Sequence, residues 1–125
     1  MNPLMLCVHM SKERLLRLSF AAMRLGVRVK AVAPEEENRS LGALCGLDDP
    51  QPAGSSPAVE EEMLVFAFLP EDTLDQLLPA LREAAQPPVR LKAVLTPTNR
   101  GWSCGRLYRE LRSEAEALGK GAKQP

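Results

Sequence analysis

The chain has 125 residues, 45% of them apolar, and its sixteen basic side chains balance sixteen acidic ones. That length fits one domain, able to bury roughly 65% of its unfolded surface. Zero net charge excludes the basic excess on which general nucleic-acid and polyanion binders depend.

The charges are unevenly placed. Residues 1–33 carry six basic and one acidic side chain, residues 34–75 one and eleven, and residues 76–125 nine and four. An acidic middle between basic ends reads as an acidic surface loop. Leu4–Met10 is apolar but has no basic region before it, and Ser11-Lys12-Glu13-Arg14 follows at once, so it does not read as a secretory signal. No apolar run approaches the ~20 residues that span a membrane. The expected place is the cytoplasm, without membrane association. Cys7, Cys45 and Cys104 are odd in number and form no C-x-x-C pair, which suits reduced thiols better than a disulfide framework or zinc site.

In chain order, Leu4–Met10 has the length of a strand. Ser11 can cap a helix whose stripe is Leu15, Leu18, Ala22 and Leu25, with Leu16, Phe20 and Met23 beside it, and Gly26 ends it. Val27, Val29 and Ala31 alternate with Arg28 and Lys30 as a half-exposed strand. Ser40–Gly46 holds about two helical turns. Asp48–Glu62, with three prolines and a terminal Glu60-Glu61-Glu62 run, reads as a mobile loop or linker. Met63–Leu69 is a second fully apolar strand. Glu71–Ala85 is helical by pattern, with Asp72 as its expected cap and Pro79 as an expected kink. Leu91, Ala93 and Leu95 mark a fourth strand. Ser103 caps a last helix with the stripe Cys104, Leu107, Leu111, Ala115 and Leu118, ended by Gly119, and a frayed tail occupies 119–125.

The order contains a repeat. Val27-Arg28-Val29-Lys30-Ala31-Val32 is nearly matched by Val89-Arg90-Leu91-Lys92-Ala93-Val94, and each copy is soon followed by Asn-Arg and a helical segment. One domain, 1–125, is therefore expected from two βα halves, 4–47 and 63–118. The unbroken apolar strands belong in the centre of the sheet and the Lys/Arg-bearing ones at its edges. Two α/β architectures satisfy this. One is a ferredoxin-like duplicated βαβ sheet of order 4-1-3-2 with an added C-terminal helix, which two βαβ halves suffice to build. The other is a small parallel doubly wound sheet of order 2-1-3-4.

LKAVLTPTNRGW, preceded by EEMLVFAFLPEDTLDQLLPALR, resembles a bacterial family catalogued as a domain of unknown function, in which a strand reading LKAVLTPTN precedes a tryptophan and an amphipathic helix. ENRSLGALCG resembles that family's Leu-Gly-x-Leu-x-Gly segment. The likeness spans most of the chain, is strongest from Glu61 to Glu114, and implies no activity.

The candidate ligand site lies in the same block. Thr96, Thr98, Asn99 and Arg100 stand where a strand enters a helix, whose free N–H groups can hold an anion; the same residue types also build turns and caps. Lys92 can face that ligand or serve as an edge charge. Trp102 can stack on a ligand or pack on the core. Cys7 and His9, two apart on the first strand, fall short of a metal site, and His9 reads as a buried, satisfied histidine. Cys104 near a helix start could have a lowered pKa. No Walker loop, G-x-G-x-x-G, Ser-His-Asp set or paired-carboxylate spacing is present, so neither a cofactor nor a catalytic residue is assigned. The composition favours a binding or regulatory module for a small anionic ligand or a protein partner. A structural subunit, such as that of a homodimer, and an enzyme acting on a small acidic substrate are the alternatives.

Overall fold

A computed structural model describes residues 1–47, 49–52 and 56–122. Four strands, β1 (Leu4–Val8), β2 (Arg28–Val32), β3 (Met63–Ala67) and β4 (Leu91–Val94), form one sheet of order β2-β1-β3-β4. Its helices are α1 (Lys12–Arg24), α2 (Leu41–Leu44), α3 (Glu71–Ala84) and α4 (Cys104–Ala122), with a 3-10 turn at Pro34–Glu36. As their unbroken apolar sequences require, β1 and β3 are central and buried along their whole length. The charged strands β2 and β4 are the edges.

The class is α/β, but the ferredoxin-like order 4-1-3-2 is corrected to 2-1-3-4. β1 pairs parallel with β2, β3 pairs parallel with β4, and β1 pairs antiparallel with β3. The parallel alternative had the order right and the direction of the central pair wrong. Strand directions are those of a ferredoxin-like sheet; what differs is that each edge strand lies beside the first strand of its own half. The physical reason is in the connections. Leu25–Val27 is a tight return from α1, closed by Gly26 at φ +77, and Arg28 N–H donates to the Pro3 carbonyl at 3.0 Å, so β2 is laid against β1. Residues 33–62 are far longer than a hairpin, so β2 is not held beside β3.

The two sheet faces are covered differently. Met5, Cys7, Leu64 and Phe66 meet Leu18 and Ala22 of α1 and Leu77 and Leu81 of α3. Leu4, Leu6, Val8, Met63, Val65 and Ala67 meet Leu41, Leu44, Cys104, Leu107 and Tyr108 below. Ser11 caps α1 through a bond from Arg14 N–H (3.3 Å), and Ser40 caps α2 through Ala43 N–H (3.2 Å). Ser103 Oγ takes Arg106 N–H at 3.2 Å. Pro70, not Asp72, stands at the N-cap of α3, and the helix continues through exposed Pro79. α4 runs past Gly119 to Ala122; residues 123–125 of the expected tail lie outside the described residues.

Equivalent positions recur at a spacing of 59 from β1–α1 to β3–α3. His9 (φ 55) and Phe68 (φ 63) take the left-handed conformation directly after the central strands, and Leu18 and Leu77 are both fully buried. The register obeys the same rule. Leu6 pairs with Val65, its own equivalent, while Leu4 pairs with Ala67 and Val8 with Met63. An approximate twofold axis therefore passes between Leu6 and Val65. Beneath it the two crossing connections meet in an antiparallel bridge between Ser40 and Ser103, the capping serines of the two lower helices.

Of the expected mobile loop 48–62, Asp48 and residues 53–55 lie outside the described residues. The described parts touch the body at several points. Asp49 pairs with Arg100 (2.8 Å), Glu61 with Arg90 (2.7 Å) and Glu62 with Arg14 (2.6 Å), while Val59 is buried. Ser56 Oγ lies 2.8 Å from Ser103 Oγ. Gly105 is needed there, because a Cβ would run into the Pro57 carbonyl and Ser56 Oγ.

Candidate functional site

The turn after β4 is built around Asn99, a buried amide (7% exposed). Its Oδ1 accepts Thr96 N–H at 2.9 Å, and its Nδ2 donates to the Val94 carbonyl at 3.0 Å. Its own N–H donates to Thr96 Oγ1 at 3.1 Å. Thr96 and Asn99 thus cap each other, as short polar side chains do in turns. The amides of Arg100 and Trp102 donate to the carbonyls of Thr96 and Asn99. The Arg100 guanidinium grips Asp49 through Nε (3.0 and 2.9 Å) and NH2 (2.8 Å), and that carboxylate raises its pKa by hydrogen bond and charge. Lys92 Nζ donates to the Val89 carbonyl at 2.7 Å. Trp102 is half-buried against the lower core, with the Arg106 guanidinium 4.3 Å over its ring. Thr98 is exposed. The structure brings Thr96, Asn99 and Arg100 together, and each interaction named is with the chain itself.

His9 is exposed, not buried, because the chain leaves the sheet at Val8 and turns through φ 55. Among the described residues no three His, Cys, Asp or Glu side chains converge as a metal site. No helix among them is long and apolar enough to cross a membrane. Cys104 does not gain acidity from its helix start: burial pushes its thiol up to about 12, and burial does the same for Cys7. Both thiols ionise in the unfolded chain near pH 9 and stay protonated in the fold. Their contribution is complete below pH 9 and is lost as pH rises toward 12. We expect stability to fall by about 1 kcal/mol per buried thiol per pH unit in that window. Urea titrations between pH 8 and 11 check this; a flat profile contradicts it.

Sequence reasoning noted Leu16, Phe20 and Met23 beside the main stripe of α1 without recognising them as a separate exposed surface. Leu16, Phe20 and Met23 recur at i, i+4 and i+7 on α1 and point away from Leu18 and Ala22; they are 57, 61 and 62% exposed. On one side they border a groove of about 640 Å³ against α3, lined by Phe20, Arg24, Gln76, Ala80 and Glu83. On the other, a groove of about 900 Å³ runs along β2 past Met23, Leu15 and Val29. The stripe is a ridge between two grooves. Lys12, Arg17 and Arg24 flank it, and Arg17 pairs with Glu13 at 3.0 Å. The outer side of α3 is net acidic, with exposed Glu71, Asp72, Asp75 and Glu83 against one exposed base, Arg82. The available signal was arc width: the apolar positions of α1 occupy more of its circumference than one core-facing stripe needs.

Residues 62–118 match the model of a family described as a domain of unknown function (DUF3783), which takes in β3, α3, β4 and most of α4. The match falls on the half that carries the LKAVLTPTNRGW block. Neither the curated proteins nor the solved structures include a match to the chain.

Proposed function

We propose that the chain is a protein-interaction module whose contact face is the outer side of α1 and the neighbouring face of α3. The observation that carries this is the exposed stripe Leu16, Phe20 and Met23. A large apolar side chain left in water forgoes about 1.5–3 kcal/mol of burial, and contiguous patches of this kind mark contact surfaces more often than isolated residues do. The fold does not use them, since the sheet-facing side of α1 is already filled by Leu18, Ala22 and their neighbours. Binding of a small anion at Thr96–Arg100 has less support, because the Arg100 guanidinium and four turn amides are engaged within the chain.

Methionine oxidation tests this reading. Met1 is 74% exposed and Met23 62%, so in free protein they oxidise at similar rates. In the native cell Met23 should oxidise several-fold more slowly than Met1. Equal rates there would mean that nothing covers α1, and the interaction reading would fail. Phe20→Asp should shift stability by no more than about 0.5 kcal/mol, as for other surface changes. A loss of several degrees in melting temperature would show that Phe20 serves the fold.

A further inference from the structure

We infer that the occupant of this face is a second copy of the same chain, with α1 of each copy lying on α3 of the other; the inference rests on the interaction reading above. Its basis is a charge pattern that the internal twofold makes visible. At the spacing of 59, Lys12 corresponds to Glu71, Leu16 to Asp75, Phe20 to Pro79 and Arg24 to Glu83. Core-facing equivalents are kept apolar in both helices (Leu18 and Leu77, Ala22 and Leu81). The outward faces differ in balance: α1 is apolar and net basic (Lys12, Arg17 and Arg24 against Glu13), α3 net acidic (Glu71, Asp72, Asp75 and Glu83 against Arg82), although Glu13 corresponds to Asp72 and Met23 to Arg82. A face with those two halves side by side is complementary to itself.

Two isologous pairings are open to such a layer. α1 and α3 are antiparallel, since each returns along one of two antiparallel strands. A twofold axis across the helices would set α1 on α1 and α3 on α3, placing arginines near arginines and carboxylates on carboxylates. An axis along the helices sets α1 on α3 in both copies. Ala21 and Ala80 are equivalents lining the shared groove, which fixes the levels. Phe20 then comes within one helical turn of Pro79 and Ala80 of the other copy, Arg17 of Glu83, and Arg24 of Asp75. The apolar ridge meets the least polar part of α3, and the two arginines beside it, Arg17 and Arg24, each come near a carboxylate. Like charges directly opposed would disfavour the first pairing, so electrostatics selects the second. The same pattern disfavours an anionic membrane, because the carboxylates of α3 would face its headgroups.

Sedimentation velocity of the full chain at about 100 µM, far above the dissociation constant of a micromolar dimer, reads the outcome. The wild type should have twice the chain mass. Phe20→Asp should be monomeric, or raise the dissociation constant at least about tenfold, with an unchanged circular dichroism spectrum. Arg24→Glu and Asp75→Arg should each weaken self-association, and mixing the two proteins should restore a heterodimer in which both charge pairs are re-formed. A wild-type monomer overturns the inference, as does a dimer indifferent to Phe20→Asp. A dimer whose charge variants are not restored by mixing overturns the α1-on-α3 arrangement. A monomer whose Met23 is still protected in the cell overturns only the second copy, leaving a foreign protein as occupant. A monomer that co-sediments with phosphatidylserine vesicles assigns the face to a membrane and overturns both readings.

Discussion

Leu6→Ala should lower the stability of the fold by about 2–5 kcal/mol, a large share of the roughly 5–15 kcal/mol typical of a domain. Leu6 has no exposed surface and sits in the middle of β1, paired with Val65 at the internal twofold and with Lys30 of β2. Its side chain points into the lower core, where Leu41, Cys104 and Leu107 close over the sheet. The neighbouring backbone is tied on both sides by strand pairing and below by the Ser40–Ser103 bridge, so the cavity cannot collapse. Leu16→Ala removes the same atoms from a side chain 57% exposed and should cost a small fraction of that. Urea midpoints for the two variants make the comparison within one chain. Similar losses would mean that α1 is covered on its outer face even in the isolated protein, or that the core near the twofold is loose.

The contrast bears on what could be read in advance. Element positions followed from period and capping residues: Ser11 and Ser103 cap the helices expected of them, and Ser40, the first residue of the expected short helix, caps α2. Central and edge strands followed from burial, because β1 and β3 lack the alternation that β2 and β4 show. The order of the sheet did not follow. An apolar strand buried on both faces carries no record of which neighbour it has, and the ferredoxin-like and observed arrangements use the same strand directions. What decides between them is the route of residues 33–62, whose prolines and polar residues give no period to follow. The helix pattern of α1 was visible, but its second stripe was read only as lying beside the first, because hydrophobicity alone does not say which apolar face is covered. For Cys104, the helix start suggested acidity while its place under the sheet decides the reverse; desolvation outweighs a helix terminus when the thiol is fully buried.

The twofold also explains why the two Asn-Arg segments are not alike in structure. Asn38 and Asn99 each follow an edge strand, yet only Asn99 is among the buried polar residues, and the first segment is preceded by the Pro34–Glu36 turn. There Glu36 does related work: its carboxylate accepts Ala33 N–H at 3.1 Å, which holds its pKa low, and it pairs with Lys30 at 3.3 Å. Each edge strand is thus followed by a side chain that ties down the exit of the chain. Different chemistry serves because the two connections enter helices of different length, four residues for α2 and nineteen for α4.

Asn99→Ala should cost about 1–3 kcal/mol, the penalty for leaving partly buried hydrogen-bonding groups without partners. The substitution removes the acceptor of Thr96 N–H and the donor to the Val94 carbonyl, on either side of the point where β4 ends. Neither group has another protein partner nearby in the sheet, since β4 is an edge strand. The turn positions Arg100, whose pair with Asp49 and whose carbonyl, accepting Gly42 N–H at 2.8 Å, tie the second half to α2 of the first. Loosening the turn should therefore be felt across the twofold, and amide exchange should quicken at Gly42 and Leu41 as well as at Thr96. Asn99→Asp separates the two bonds: it keeps an acceptor for Thr96 N–H but loses the donor to Val94, so its cost should be intermediate. Phosphate or nucleotide added to the parent protein should leave its melting temperature unchanged if the turn serves only the fold. A rise with phosphate that disappears in Asn99→Ala and Arg100→Ala, with little change in their melting without ligand, would restore the turn as an anion site and sink the structural assignment.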